Sequence, residues 1–139
     1  MPRRPLGAGR RLAAIAALLL IVGSVLPWYR VGGDGGLAPL VYRAFDGTGI
    51  LAFLAGLATL ALLALPYAAG DRPIGVDRWI VYAVFGGAAL VGVALWIPNV
   101  LEAPEGILPD RAYGFWMTLV GAIALARSAY DMALEPPRR

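Results

Sequence analysis

Four long apolar runs alternate with polar intervals along this chain. A helix of about 20 apolar residues is long enough to cross the hydrocarbon core of a bilayer. The pattern therefore predicts an all-α integral membrane protein, a four-transmembrane-helix bundle of two tandem hairpins. The predicted helices span about 12–28, 48–67, 79–98 and 113–130. They form one membrane domain, 12–130, between a basic N-terminus, 1–11, and a polar tail, 131–139.

The basic N-terminus before the first apolar run is also how a cleaved secretory signal begins. No small-x-small cleavage site follows, because the run passes directly into Leu26-Pro27-Trp28-Tyr29. The sequence therefore favours an uncleaved first helix that Pro27 ends, since proline lacks the N–H of a helical residue. Trp28 and Tyr29 are then expected in the aromatic belt at the membrane surface.

The interval between the first two runs, 28–49, is the longest polar stretch between helices. Its arms, 29–31 and 40–42, flank the glycine-rich segment 32–36 and permit a small β-hairpin. The many glycines also permit a mobile loop, and we favour the mobile loop slightly over the hairpin. Asp46 or Thr48 is expected to cap the second helix by accepting its free backbone N–H groups.

The arginines indicate how the helices are oriented, because short cytoplasmic loops carry an excess of basic residues. Nine arginines lie in the two terminal segments and the middle connection, and three lie in the other two loops. Both termini are therefore expected in the cytoplasm, in the cell (inner) membrane, with loops 28–49 and 99–112 facing outward. The nine are Arg3, Arg4, Arg10, Arg11, Arg72, Arg78, Arg127, Arg138 and Arg139, and the three are Arg30, Arg43 and Arg111.

Composition supports a bilayer as the surrounding solvent. The 139 residues are 60% hydrophobic with a mean hydropathy of +0.71, against about 45–50% apolar residues in soluble domains. The formal charge of the chain is +3, and all of its basic residues are arginine. They are dispersed rather than set in a stripe, which argues against nucleic acid as a partner. The absence of cysteine excludes disulfides and thiolate-ligated metals.

Candidate chemistry is sparse. The predicted spans contain no ionisable residue except Arg127 near one end, although membrane transport and catalysis usually require such groups at depth. The hydroxyls of Ser24, Thr59 and Thr118 are expected to bond carbonyls of their own helices. The outer loops hold five carboxylates without the spacing of a cation site. These are Asp34, Asp46, Glu102, Glu105 and Asp110. We predict no catalytic residue, cofactor or metal.

Pairs of small residues four positions apart indicate where helices approach each other or a partner. Such pairs occur at Ala52/Gly56, Ala83/Gly87 and Ala88/Gly92, although an alanine-rich chain also produces them by chance. They could form the internal seam of the bundle or a partner-binding face. The residues predicted to make helix-packing or partner contacts are Trp28, Arg43, Asp46, Gly56, Gly87, Gly92, Arg111 and Trp116.

The two halves of the chain echo each other. Each has a proline near the exit of one helix, Pro27 or Pro98, and returns through Arg-Ala-aromatic followed by glycine. This is either a parallel repeat of the kind known in transporters or a chance match of common residues. The Pro27-Trp28 and Tyr113-Gly114-Phe115-Trp116 motifs resemble those of small four-helix membrane proteins of GC-rich actinobacteria. The resemblance implies the topology and no activity.

Three hypotheses follow, in order of preference. The first is a non-enzymatic accessory or scaffold subunit that contacts a membrane-protein partner, or another copy, through its outer loops and one small-residue face. The second is a small oligomeric transporter or pore with glycine faces lining its centre. The third is an enzyme acting on lipid through outer carboxylates such as Asp46 or Glu105.

Overall fold

The computed structural model describes residues 7–70, 79–102 and 112–136. In these ranges the chain forms mostly helices, with one small antiparallel sheet between the first two long helices. The helices are α1 (Ala8–Val25), α2 (Ile50–Ala68), α3 (Trp79–Ala94), α4 (Ile97–Glu102) and α5 (Tyr113–Leu134). The strands are β1 (Tyr29–Val31) and β2 (Leu40–Tyr42).

Four stretches of the described chain are helical, long and apolar enough to cross a membrane. They are α1, α2, α5 and the stretch Trp79–Glu102, which joins α3 and α4. The prediction of a helical protein with four such segments is confirmed. The observed bounds differ at the ends: α1 begins at Ala8 rather than 12, and α5 continues to Leu134 rather than 130. Arginine is a good helix former, so Arg10 and Arg11 extend α1.

The third long segment is interrupted, which the expected helix 79–98 does not allow for. Pro98 has no N–H to donate to the carbonyl of Ala94, and its ring crowds that carbonyl. The helix therefore breaks at 95–96. The Trp96 N–H donates to the Val93 carbonyl at 3.0 Å, and the Val100 N–H donates to the Trp96 carbonyl at 3.2 Å. The break turns Trp96 inward, where it is almost completely buried.

The four long segments pack in a ring. Helix α1 contacts α2 and α5, and α3 contacts the same two helices. The order around the bundle is therefore α1, α2, α3, α5, and neighbours in the chain are neighbours in space. The contact between α1 and α5 is the most extensive and closes the ring.

Small residues let α1 and α5 approach closely. A side-chain carbon added at Gly114 would lie 2.6 Å from the carbonyl oxygens of Leu26 and Pro27. One added at Gly121 would lie 3.1 Å from the carbonyl oxygen of Ala16. Close backbone approach is the main source of helix association where lipid and side chains are equally apolar. Glycine at these positions is therefore a packing requirement of the α1–α5 seam.

Four serine and threonine hydroxyls of the described residues are fully buried inside the bundle, and each has a hydrogen-bond acceptor on its own helix. Ser24 donates to the Leu20 carbonyl at 2.6 Å, Thr59 to Ala55 at 2.7 Å, Thr118 to Gly114 at 2.8 Å and Ser128 to Leu125 at 2.6 Å. The prediction made for Ser24, Thr59 and Thr118 is confirmed. A satisfied hydroxyl costs little to bury, so these groups fit an apolar interior without serving a solute path.

The outward faces of the long helices are apolar. Large aliphatic residues on these faces have more than half of their surface exposed. They include Ile15 and Leu18 on α1, Leu54 on α2, Val84 on α3, and Val120 and Ile123 on α5. Large apolar side chains exposed on every long helix suit a surface that faces lipid rather than water.

Candidate functional site

The residues that could contact a ligand or partner converge at one end of the bundle. This hairpin end holds the C-terminus of α1, the sheet, the N-termini of α2 and α5, and the break between α3 and α4. We call the opposite end, where α1 begins and α5 ends, the terminal end.

Trp28 is the centre of the hairpin end. Its side chain is fully buried, and its indole N–H donates to the Gly23 carbonyl at 3.0 Å. Its ring meets Trp96 edge-on with centroids 5.5 Å apart, and Phe115 edge-on at 5.6 Å. The ring therefore faces the protein interior rather than lipid, and the depth of Trp28 in the membrane stays a prediction. Three distant segments enclose the ring, and Gly49 leaves room for it, since an added carbon there would lie 2.7 Å from the indole.

The hairpin is ordered across its two arms. Strands β1 and β2 pair antiparallel with Tyr29 opposite Tyr42, and the Trp28 N–H donates to the Tyr42 carbonyl at 2.8 Å. The two tyrosine rings stack with centroids 4.7 Å apart. Such cross-strand aromatic pairs stabilise a sheet. The predicted hairpin is confirmed, and the slight preference for a mobile loop is wrong for these arms.

A short 3₁₀ turn at Ala44–Asp46 leads from the hairpin to α2. One Asp46 carboxylate oxygen accepts the Arg43 N–H at 2.7 Å, and the Asp46 N–H donates to the Arg43 carbonyl at 3.1 Å. The expected capping of α2 by Asp46 or Thr48 is wrong, because Gly49 stands at the N-cap without a side-chain bond. Asp46 instead closes the preceding turn.

Thr48 serves the broken helix across the bundle. Its hydroxyl donates to the Gly92 carbonyl at 3.1 Å. In an uninterrupted helix the Trp96 N–H would bond that carbonyl, but here it donates to Val93 instead. The Thr48 hydroxyl thus replaces the N–H donor that the Gly92 carbonyl loses at the break. This hydrogen bond also joins the start of α2 to the end of α3.

These elements enclose an open cleft of about 300 Å³. Its lining combines aromatic rings, one carboxylate, a hydroxyl and an amide. The lining residues are Tyr29, Tyr42, Asp46, Gly47, Thr48, Leu95, Trp96 and Asn99. Burial, then the neighbouring Tyr42 and Asp46, raises the pKa of Tyr29 above its usual range. Its phenol therefore remains a neutral hydroxyl at physiological pH. Asp46 is the only residue of this lining that carries a charge.

The three glycines predicted to make contacts differ in their surroundings. Gly56 packs against α1, where an added carbon would lie 3.1 Å from the Ala17 carbonyl oxygen. Gly92 packs against the start of α2, 2.7 Å from the Thr48 carbonyl oxygen. Gly87 is exposed, and an added carbon would meet no atom within 4 Å. The neighbouring Gly86 makes the contact with α5 instead.

Two of the remaining candidates, Trp116 and Arg43, lie at or near the hairpin end. Trp116 is half-buried and meets Phe115 edge-on at 5.7 Å. Arg43 is exposed beside the turn that Asp46 closes. Arg111 lies outside the described residues, as do Glu105 and Asp110. In the described ranges, no group of three metal-ligating side chains comes together.

Sequence reasoning missed most of the cleft. The sequence predicts a membrane belt for Tyr29 and gives no direct indication of a site at Tyr42, Trp96 or Asn99. The signals available were Pro98, which predicts a break beside Trp96, and the tyrosines at matching ends of the two arms. Neither signal shows that these segments meet.

Comparison of the chain with protein-family models, curated proteins and solved structures finds no match. The similarity to small actinobacterial four-helix proteins therefore stays a prediction.

Proposed function

We propose that this chain is a multi-pass protein of the cell membrane with its hairpin end facing outward and both termini in the cytoplasm. Four apolar helices of spanning length and their exposed aliphatic faces support the insertion. The excess of arginine in the terminal segments and the middle connection supports the orientation.

Within that membrane, the protein acts as an accessory or scaffold subunit that contacts a membrane-protein partner through its hairpin. The observation that carries this proposal is an exposed apolar patch beyond the ends of the long helices. Leu37 is 77% exposed and Leu40 63% exposed, and Val31, which is 37% exposed, pairs with Leu40 on the same face of the sheet. Contiguous exposed apolar side chains mark interaction surfaces.

The attachment of this patch favours a docking role. The hairpin follows directly from Trp28, whose ring is fixed between Trp96 and Phe115. A surface that is already ordered loses little conformational entropy when it binds. We infer that the fully buried tryptophan serves to hold the exposed leucines in a defined position.

The pore hypothesis has less support. It places glycine faces at the centre of an oligomer, but Gly56 and Gly92 are buried within a single chain. Of the three glycines predicted as contacts, Gly87 alone remains on an open face. The lipid-enzyme hypothesis rests on Asp46, which no second carboxylate joins among the residues that line the cleft, and on Glu105, which lies outside the described residues.

The test is purification of the tagged protein from its native membrane in mild detergent, comparing two matched variants. The double variant Leu37→Asp/Leu40→Asp removes the two most exposed leucines of the hairpin. The control, Ala38→Asp, places a charge in the same exposed loop without removing a large apolar side chain.

We expect the unmodified chain and Ala38→Asp to retain one stoichiometric membrane protein, and the double variant to lose it. The hairpin variants should unfold like the unmodified chain, because the substituted side chains are exposed. Recovery of the unmodified chain with no stoichiometric partner would contradict the proposal. A homo-oligomer that persists in all three proteins would favour the pore hypothesis instead.

A further inference from the structure

The cleft at the hairpin end has the chemistry of a cation site rather than an anion site. Among its lining residues, all of which lie in the described ranges, Asp46 is the only charged one. One Asp46 oxygen accepts the Arg43 N–H. No cation pairs with the carboxylate within the described part of the chain. Since a carboxylate carries about four acceptor positions, Asp46 retains capacity for a donor from a ligand.

The other walls of the cleft are aromatic. Tyr29 stacks on Tyr42, and its ring centroid lies 5.5 Å from that of Trp96. Aromatic rings attract cations through the negative potential of their faces, and tryptophan does so most strongly. The Asn99 amide and the Thr48 hydroxyl add polar atoms at the same cleft.

The kind of cation follows from the ligand set. Ca²⁺ prefers six to eight oxygen ligands and Mg²⁺ an octahedral set, whereas this cleft offers one carboxylate, one hydroxyl and one amide among three aromatic rings. Organic ammonium groups suit such a site, because aromatic walls and a single counter-ion are how proteins recognise them. A volume of about 300 Å³ is at the small end for ligand pockets. It therefore suits a head group rather than a large molecule.

We propose that this cleft binds the ammonium group of a small organic cation, with Asp46 as the counter-ion and Tyr29, Tyr42 and Trp96 as the aromatic walls. The ammonium group belongs either to a free amine or to the head group of an amine-bearing lipid. This site goes beyond the partner contact proposed above and does not depend on it, since the leucines of the exposed patch do not line the cleft.

The test follows the indole N–H resonance of Trp96 in the purified full-length protein, with tryptophan ¹⁵N-labelled in a maltoside detergent. The free-amine arm titrates choline and ethanolamine, with 3,3-dimethylbutanol as a control that has the shape of choline without its charge. The lipid arm compares nanodiscs of phosphatidylglycerol alone with nanodiscs that also contain phosphatidylethanolamine.

Two variants give the matched comparison. Asp46→Asn removes the charge and keeps an oxygen that can accept the Arg43 N–H, so the turn should persist. Glu102→Gln makes the same charge change on an exposed residue outside the cleft. We expect Asp46→Asn to weaken binding about tenfold or more, because it removes a charge-assisted interaction. Glu102→Gln should change binding by less than about twofold, because exposed charges outside a site are screened.

Saturable binding of choline or ethanolamine that Asp46→Asn weakens would support a free amine as the ligand. A resonance shift seen only with phosphatidylethanolamine, and weakened by the same variant, would support a lipid head group. The proposal would be overturned by the absence of a shift in both arms. It would also be overturned by equal binding of dimethylbutanol and choline, or by equal losses in the two variants.

Discussion

The two ends of the α1–α5 seam are packed differently. At the hairpin end, α5 meets the backbone of the segment that follows α1: the Gly114 N–H donates to the Pro27 carbonyl at 3.1 Å. At the terminal end, an added carbon on Gly9 would first meet the Met132 side chain, 2.8 Å away, and would lie 3.2 Å from the nearest backbone atom, the Ser128 carbonyl oxygen. Backbone atoms cannot move aside as a methionine can. The hairpin end is therefore the rigid end of the seam.

The same contrast holds for the side chains that fix each end. The fully buried Trp28 lies against two other aromatic rings at the hairpin end. At the terminal end, Arg127 pairs with Asp131 at 3.0 Å, but the arginine side chain is 64% exposed. Its guanidinium also lies 5.4 Å from the centre of the Tyr130 ring. Exposed pairs contribute little to stability, so we expect stability to be concentrated where the proposed binding surfaces lie.

The largest predicted effect is that of Trp28→Ala. Removing a fully buried tryptophan should lower the free energy of unfolding by about 3–5 kcal/mol, measured by equilibrium denaturation in mixed micelles. Trp79→Ala is the matched control, because Trp79 is 46% exposed at the start of α3. Trp79→Ala should lower the free energy of unfolding by less than about 1 kcal/mol. Similar losses in the two variants would contradict the special position of Trp28.

Gly114→Ala should be the next most destabilising change. The added carbon would lie 2.6 Å from two backbone oxygens, and overpacking of this kind typically costs about 1–3 kcal/mol. Gly87→Ala is the control and should be neutral or slightly stabilising, because its site is open and alanine favours a helix by up to about 1 kcal/mol. Gly9→Ala should fall between them. A larger loss of unfolding free energy for Gly9→Ala than for Gly114→Ala in the same denaturation assay would contradict this description of the seam.

Thr48→Val should have a smaller effect, about 0.5–1.5 kcal/mol, because it removes the donor to the Gly92 carbonyl. Thr48→Ser keeps the hydroxyl and should restore most of that loss. Hydrogen exchange of the backbone amides around Trp96 gives a local readout, since loss of the bond should speed exchange there. Equal exchange in the valine and serine variants would show that the bond does not support the break.

Asp131→Asn at the terminal end should change the free energy of unfolding least, by about 0.5 kcal/mol or less, because the pair is exposed. The small difference should shrink further at high salt, since exposed charges are screened. A loss comparable to that of Thr48→Val would mean that the terminal end is held more firmly than the geometry indicates.

Much of the fold could be predicted from the sequence because length and polarity determine where helices can cross a bilayer. The hydroxyls of Ser24, Thr59 and Thr118 were predictable for a related reason, since their nearest acceptors are on their own helices. These properties are local. They do not require knowledge of which segments meet.

The position of Trp28 could not be predicted in this way. A tryptophan after a helix-ending proline suits a membrane surface equally well, and its burial depends on Trp96 and Phe115, which are far away in the chain. The choice between Gly86 and Gly87 has the same origin. Adjacent glycines have equal local properties, and only the direction of α5 determines which of them needs to be small.

Membrane orientation is the measurement that tests the account most directly, because the proposed function requires the hairpin end to face outward. The chain has no cysteine, so single variants Ala38→Cys and Ala133→Cys report on the two ends without a background. A membrane-impermeant maleimide applied to intact cells should label Ala38→Cys, and it should label Ala133→Cys only after permeabilisation. Labelling of Ala133→Cys in intact cells with protection of Ala38→Cys would place the cleft in the cytoplasm and contradict the account.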